Sequence, residues 1–313
     1  MRRAIFLILV LLCPVAVGGP LLLPASGSAN PRIDRLLLLD AAHAGKRIVA
    51  VGERGRILLS DDAGHSWRYA TSPTEATLTA VYFVDDRRGW AVGHDATILV
   101  TRNGGETWET AHAAPEENAP LLDVWFADPD RGIAVGAYGL ALATSDGGRT
   151  WERIRVEDGD RHLNAIAGSS DGRIFVVGES GTILRSDDGG GTWKPLAAPY
   201  KGSFFGVVVL ADGRPLVFGL RGKLFLGSPE GTVWHAVESG TEASLQGGIV
   251  TSGDEVLLVG NDGVILSGHV AGGSLHAHRA ADGRPIAAVL PGDAGELLLF
   301  GEGGVSRAAR AAP

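Results

Sequence analysis

Trp90-Ala91-Val92-Gly93, followed eight residues later by Thr101-Arg102-Asn103-Gly104-Gly105-Glu106-Thr107-Trp108, decides the fold, because both halves of this stretch recur along the chain. The first half returns as Val49-Ala50-Val51-Gly52, Ile133-Ala134-Val135-Gly136, Phe175-Val176-Val177-Gly178, Leu216-Val217-Phe218-Gly219, Leu257-Leu258-Val259-Gly260 and Leu298-Leu299-Phe300-Gly301. The seven glycines are 41, 43, 42, 41, 41 and 41 residues apart. Fifteen residues after the glycine stands a tryptophan in five copies: Trp67, Trp108, Trp151, Trp193 and Trp234. Leu275 takes its place in the sixth, and the seventh reaches Pro313 first. A fixed period near 42 means one supersecondary unit repeated seven times.

Each unit resolves into four short apolar runs separated by turn residues, seen best at Leu78 to Val84, Gly89 to Val92, Thr97 to Thr101 and Thr107 to Thr110. The runs have strand length, and the second and third are apolar on both faces, as a sheet packed between two others must be. Forty-six glycines, seven tryptophans and 45% apolar residues agree with many strands joined by tight turns. The chain is therefore read as all-β, a seven-bladed β-propeller of four-stranded antiparallel blades. Open sheet edges recruit other chains, so the ring should close by pairing of its N- and C-terminal strands, with residues near Leu21 to Asp34 completing the last blade.

Between the third and fourth runs lies a polar turn: Ser60-Asp61-Asp62-Ala63-Gly64-His65-Ser66-Trp67, and its counterparts at 101–108, 144–151 and 186–193. Asp62, Asn103, Asp146 and Asp188 are placed to accept backbone N–H bonds, and Gly64, Gly105, Gly148 and Gly190 can take positive φ. Trp67, Trp108, Trp151 and Trp193 should insert between blades, each burial worth about 4–6 kcal/mol gross. The alternative, a set of calcium sites, has too few carboxylates per turn for an oxygen cage, and no metal is expected. The fifth copy has Pro229 in place of the acid and the sixth has lost the pattern, so those blades should be held more weakly there.

These turns resemble the Asp-box, or bacterial neuraminidase repeat, of sialidases, sortilin-like receptors and other propellers. The longer run, apolar-apolar-Val-Gly through Gly-Gly-x-Thr-Trp, looks like the photosystem II stability/assembly factor family of such repeats, over about residues 35 to 305. The resemblance implies an exported, non-catalytic propeller that binds protein and assists assembly or stability of a membrane complex, in photosynthesis for the family's namesakes. A carbohydrate-binding or receptor-like propeller is the alternative, and a sialidase-like glycoside hydrolase the enzymatic one. The hydrolase needs converging arginines, a tyrosine nucleophile with its glutamate, and an acid/base carboxylate. Only Tyr138 and Tyr200 can reach a rim, Arg32 is not followed by an Ile-Pro pair, and no catalytic residue is assigned.

Met1-Arg2-Arg3 followed by apolar Ala4 to Leu12 reads as a signal peptide over 1–29, cleaved after Gly18 or Ala29, with a single propeller over 30–313. Localisation is then periplasmic or secreted, an uncleaved membrane anchor being the alternative. The one cysteine, Cys13, falls in that leader, so no disulfide is used. A net charge of −8 argues against nucleic acid. No dinucleotide or phosphate-binding glycine loop occurs, and no cofactor is expected.

A repeated framework serves stability, so the positions that vary between equivalent loops are where specificity is written. Between the second and third runs these are Arg54, His94, Asp95, Tyr138, Glu179, Arg221 and Asp262, the candidate contacts for a protein partner, a membrane protein or complex; peripheral membrane contact and a monomeric state accompany that reading. On the opposite edge Arg87, Arg88, Arg131, Arg173 and Arg214 recur in tight turns, either as a basic patch or as solvated turn residues. His276 and His278 share one face of a strand but have no third ligand near in sequence.

Overall fold

A computed structural model describes residues 32–251, 253–270 and 274–310. The chain forms seven antiparallel sheets, each built from consecutive strands in simple up-and-down order. Blade 1 comprises β1 (Leu38–Ala44), β2 (Arg47–Gly52), β3 (Ile57–Ser60) and β4 (Arg68–Tyr69). Blade 2 comprises β5 (Leu78–Phe83), β6 (Gly89–Gly93), β7 (Ile98–Thr101) and β8 (Glu109–His112), as the repeat predicts. The first strands of the remaining blades are β9 (Leu121–Phe126), β13 (Leu163–Gly168), β17 (Phe204–Val209), β21 (Leu245–Val250) and β25 (Ile286–Pro291). Each first strand lies against the next and β25 returns to β1, so these seven line the centre of a closed ring.

The middle strands are buried on both faces because each face meets a different neighbour. In blade 1, Val49, Val51 and Leu59 pack towards blade 2 with Trp108 and Leu78, whereas Ile48, Ala50 and Leu58 pack towards blade 7 with Leu298 and Phe300. The alternation has period two, and it explains why these runs carry no polar face.

The repeated glycine has a steric cause. In every blade the first strand bulges by one residue near its start, as at Leu78/Ala80 against β6. The bulge swings the preceding carbonyl over the glycine, where it accepts the next residue's N–H: Thr77 from His94 at 2.9 Å, Pro120 from Ala137 at 2.9 Å and Ser244 from Asn261 at 2.9 Å. A Cβ on the glycine would lie 2.0 Å from the Leu37 carbonyl oxygen at Gly52, 2.2 Å from that of Pro120 at Gly136 and 2.0 Å from that of Ser244 at Gly260. Only glycine leaves room for the carbonyl.

The seam of the ring joins the two ends of the described chain. Leu37 and Glu302 form an antiparallel bridge, and the Gly303 N–H donates to the Leu36 carbonyl at 3.2 Å. Blade 7 has three strands among the described residues: β25, β26 (Glu296–Gly301) and β27 (Gly304–Ala309). Of the stretch expected to add a fourth, Ile33–Arg35 forms a 3-10 turn packed against β27, and 21–31 lie outside the described residues. The leader over 1–29, with Cys13 and both cleavage positions, also lies outside them.

Gly260→Ala drives a methyl group into the Ser244 carbonyl and should cost about 1–3 kcal/mol. Urea midpoints at constant m-value check this, and an unchanged midpoint would contradict the close approach.

Candidate partner-binding face

The turns joining second to third strands are two-residue hairpin loops. In blade 1 the Arg56 N–H donates to the Glu53 carbonyl at 3.1 Å, and the two residues between have positive φ, 54° at Arg54 and 64° at Gly55. This is a type I′ turn, whose central positions favour Asn-Gly or Gly-Gly. The first central residue is Arg54, Asp95, Tyr138, Ser180, Arg221 or Asp262 in blades 1 to 6, all with φ between 54° and 59°. All six are exposed, on one end of the ring. Aspartate tolerates this left-handed conformation, but Arg54, Tyr138 and Arg221 gain nothing from it and pay about 1–2 kcal/mol each.

The remaining candidates sit one residue earlier. His94 is exposed. Glu179 is half-buried, and its Oε2 accepts the His162 N–H at 3.0 Å, so part of its role is to hold the loop between blades 3 and 4. That loop brings in a residue the repeat alignment could not reveal: His162 lies edge-on to Tyr138 at 4.9 Å between ring centroids, its Nδ1 3.9 Å from Glu179 Oε1. Tyr138, His162 and Glu179 thus meet at the seam of blades 3 and 4, with the Tyr138 ring 59% exposed. Asp262 is compensated by Arg279, which donates to its carbonyl at 3.1 Å. The other rim tyrosine of the sequence reading, Tyr200, is wedged half-buried against Phe204 and Phe225 at 6.2 and 6.4 Å.

At the opposite end of the ring the arginines are turn residues. Arg88, Arg131 and Arg214 each place Nε on the aspartate of their own turn, Asp85 at 2.8 Å, Asp128 at 2.8 Å and Asp212 at 2.6 Å, and Arg173 pairs with Asp171. Arg87 donates its backbone N–H to Asp85 at 2.8 Å. The basic-patch alternative gives way to local pairing.

The Asp-box turns at the same end are self-contained. Asp62 Oδ1 accepts from the Ser66 N–H at 2.8 Å and the Ser60 hydroxyl at 2.9 Å, while Oδ2 accepts from the Ser66 hydroxyl at 2.6 Å. Asp146 and Asp188 repeat this with Thr150 and Thr192, whereas Asn103 Oδ1 accepts the Thr107 N–H at 3.1 Å and its Nδ2 donates to the Thr107 hydroxyl at 2.9 Å. These donors hold all three carboxyls down to about 2 and occupy the oxygens a cation would need. Trp67, Trp108 and Trp193 donate Nε1 back to the carbonyls of Gly64, Gly105 and Gly190 at 3.1, 2.9 and 3.0 Å. Trp151 Nε1 has no such partner; beside it Trp90 of blade 2 approaches Gly148 and donates to the Gly147 carbonyl at 3.3 Å. The eroded fifth turn uses Ser228 Oγ to accept the N–H of Thr232 at 3.3 Å, a longer bond than any aspartate makes to its threonine, and Trp234 Nε1 is left without a partner.

Two acids that the motif search did not reach bind the ring together at its centre. Asp40 on β1 accepts the Val81 N–H, on the free edge of β5, at 2.8 Å; Asp123 on β9 does the same for Ile166 on β13 at 2.8 Å. Each also accepts the next residue's N–H, from Ala41 and Val124, at 2.8 Å. Both are half-exposed by area, but to a passage walled by seven strands, and desolvation there pushes both carboxyls up to about 7 despite these bonds, Asp40 adding to the rise at Asp123. His276 and His278 stand on β24 (Ser274–Arg279), the outer strand of blade 6, and among the described residues no cluster of metal ligands includes them.

Fold and turns together define a seven-bladed Asp-box propeller with a variable face opposite its box turns. The sequence model of the family described as photosynthesis system II assembly factor YCF48 matches residues 60–120 and 112–293, and the chain belongs to that family. Among relatives, it is 46% identical over 43 residues to photosystem II assembly protein Ycf48 of Thermosynechococcus vestitus, covering 14% of this chain. It is 35% identical over 83 residues to photosystem II stability/assembly factor HCF136, chloroplastic, of Cyanidioschyzon merolae, covering 25% of this chain. These matches span 12% and 19% of the relatives' own lengths. Among solved structures, YCF48 bound to D1 peptide superposes with a TM-score of 0.71 at 18% identity, over 89% of this chain and 95% of that one. YCF48 from Cyanidioschyzon merolae gives 0.69 at 17% identity, over 90% and 97%. The WD40 propeller of Doa1 gives 0.70 at 15%, over 87% and 92%, so these superpositions speak to the fold alone.

Two measurements test the turn strain and the central acid. Arg54→Asn and Tyr138→Asn place the residue type that type I′ turns prefer, and each should raise unfolding free energy by about 0.5–1 kcal/mol; a loss would remove the case for strain. The folded pKa of Asp123, near 7, lies above its unfolded value of 3.8, so its stabilising contribution is full below 3.8 and lost as pH rises through 7. His43 and His278, lowered by burial, act in the opposite sense as pH falls below 6.5. The comparison with Asp123→Asn isolates the acid: the Tm difference should move in the variant's favour from about pH 5 to about pH 8, and a constant difference would mean that Asp123 does not titrate in this window.

Proposed function

We propose that this chain is an exported, non-catalytic assembly or stability factor that holds a segment of a membrane protein on the face bearing Arg54, His94, Asp95, Tyr138, Glu179, Arg221 and Asp262. The observation that carries the reading is the left-handed backbone at Arg54, Tyr138 and Arg221. Turn chemistry alone would favour asparagine or glycine there, and strain kept at exposed, repeat-equivalent positions is accounted for by contact with a partner. A fold made rigid by seven interlocked sheets suits a scaffold, since the face is fixed before binding and little ordering cost remains. The superposable YCF48 structure holds a bound D1 peptide, which supports a peptide segment as the ligand class. Export by the leader over 1–29, to the periplasm or outside, belongs to the same proposal.

Crosslinking affinity purification from native membranes, read by mass spectrometry, tests it. Crosslinks should join a membrane-protein subunit to the turns at 53–55, 137–139 and 220–222, and the triple change Arg54→Asn, Tyr138→Asn, Arg221→Asn should remove them while leaving the fold more stable. Recovery of soluble enzymes or glycans alone, or crosslinks confined to the Asp-box end, would overturn the reading.

A further inference from the structure

Loop 156–161, which leads from blade 3 into blade 4, overhangs a cavity of about 350 Å³ at the outer flank of blade 4. Its walls are of mixed polarity: Leu184 of β15 (Ile183–Ser186) and the Trp193 indole line it on the face towards blade 3, and Ile183 and Leu196 border it from the opposite face of the sheet. Two polar side chains line it without satisfaction. The Glu157 side chain is only 6% exposed, and its Oε1 has no hydrogen-bond partner. Thr182 is 5% exposed, and its hydroxyl has none either. Orphaned buried polar atoms are costly to keep, and two beside one cavity call for an account beyond packing.

The chemistry of what would fill the space is narrow. Glu157 only accepts when ionised, and Thr182 can accept. The other carboxylate oxygen, Oε2, is engaged by Arg161 Nη2 at 3.3 Å, so a second guanidinium would find no two-oxygen fork to match. A compact ammonium with three donors suits one carboxylate oxygen plus one hydroxyl, and a methylene stem suits the Trp193 indole. The charged groups around Glu157 are Arg161, Asp158 and Asp160, with Asp158 paired to Arg155, so they balance one another and leave Glu157 as the excess charge.

We propose that this cavity is a subsite for one lysine side chain of a bound peptide, its ammonium received by Glu157 Oε1 and Thr182 Oγ1 and its stem laid along the Trp193 indole. Both oxygens are shielded from solvent in the present arrangement, so entry displaces loop 156–161 outward, and the loop carries Gly159 beside Glu157 Oε1. The partner reading above supplies the source of the lysine, but the cavity's preference is measurable without any partner.

Blocked tripeptides, Ac-Ala-Lys-Ala-NH2 and its norleucine and arginine counterparts, are titrated into the whole chain while the Trp193 indole N–H and the Thr182 amide are followed by NMR. The lysine peptide should shift both signals and bind about tenfold or more tightly than the other two. Glu157→Gln should lose about tenfold for lysine and nothing for norleucine. Thr182→Val, which keeps the shape, should weaken lysine binding in the same sense. Because burial raises the Glu157 carboxyl above its ordinary range, affinity for lysine should fall with falling pH in the native chain and not in Glu157→Gln. Equal binding of norleucine, tighter binding of arginine, or no shift at Trp193 would overturn the assignment while leaving the crosslinking result untouched.

Discussion

The structure depends on one contact made seven times: a carbonyl from the bulged start of each first strand pressed onto the glycine that ends the second. It fixes three things at once. It sets the register between the two strands, because the bulge absorbs one residue there. The following N–H finds a partner there, which launches the type I′ turn. It also sends the outgoing chain along the same line in every blade, so that equivalent side chains emerge on one end of the ring. Since the obstacle is backbone rather than a flexible side chain, no rotamer change could relieve a larger residue.

Adjacent blades are joined by two further kinds of contact, and they differ in how much loss they tolerate. At the outer turns an indole enters the gap towards the preceding blade, and that blade reaches back with a donor: Arg307 to the Ala63 carbonyl at 3.0 Å, Arg47 to that of Gly104 at 3.0 Å, Trp90 to that of Gly147 at 3.3 Å, and Arg185 to that of Glu230. Blade 5 keeps the indole and the clamp after losing the aspartate, which explains how its turn can erode without opening the interface. At the centre the contacts are sparser. Asp40 and Asp123 tie neighbouring first strands, Thr79 does so through the Leu121 carbonyl at 2.7 Å and Asn164 through that of Phe204 at 2.8 Å. Stability in such an array is a sum over neighbours, closed by one seam at Leu37 and Glu302.

Period and strand pattern made the architecture legible because every blade faces the same packing problem and solves it with the same residues. Asp-box chemistry was legible for the same reason, down to which oxygen-bearing residue caps which turn. The reason for the valine-glycine pair was not, since a close approach between segments fifteen or sixteen residues apart leaves no mark but the missing side chain. Asp40 and Asp123 escaped because Leu38-Leu39-Asp40 and Leu121-Leu122-Asp123 recur in only two copies and read as the ends of apolar runs. His162 and Glu157 escaped because the linkers between blades differ in length and align with nothing. The rim candidates were found by their variability, but which of them is costly to keep needed φ, and that separates Arg54, Tyr138 and Arg221 from Asp95 and Asp262.

That separation bears on where function can reside in a repeat protein. Selection for stability alone drives equivalent positions towards the residue that the local backbone prefers, as it has done for the glycines and tryptophans. An exposed position where the preferred residue is absent needs a second cause, and exposure removes packing as that cause. Aspartate at a type I′ turn satisfies its own backbone and carries little information, whereas tyrosine or arginine there carries cost without local return. The seam of blades 3 and 4 concentrates such costs: Tyr138 strained and exposed, His162 held against it by Glu179, and, earlier on the same linker, Glu157 with its Oε1 unpartnered. The rest of the ring holds these groups in place, and its rigidity keeps the strain from relaxing in the free protein.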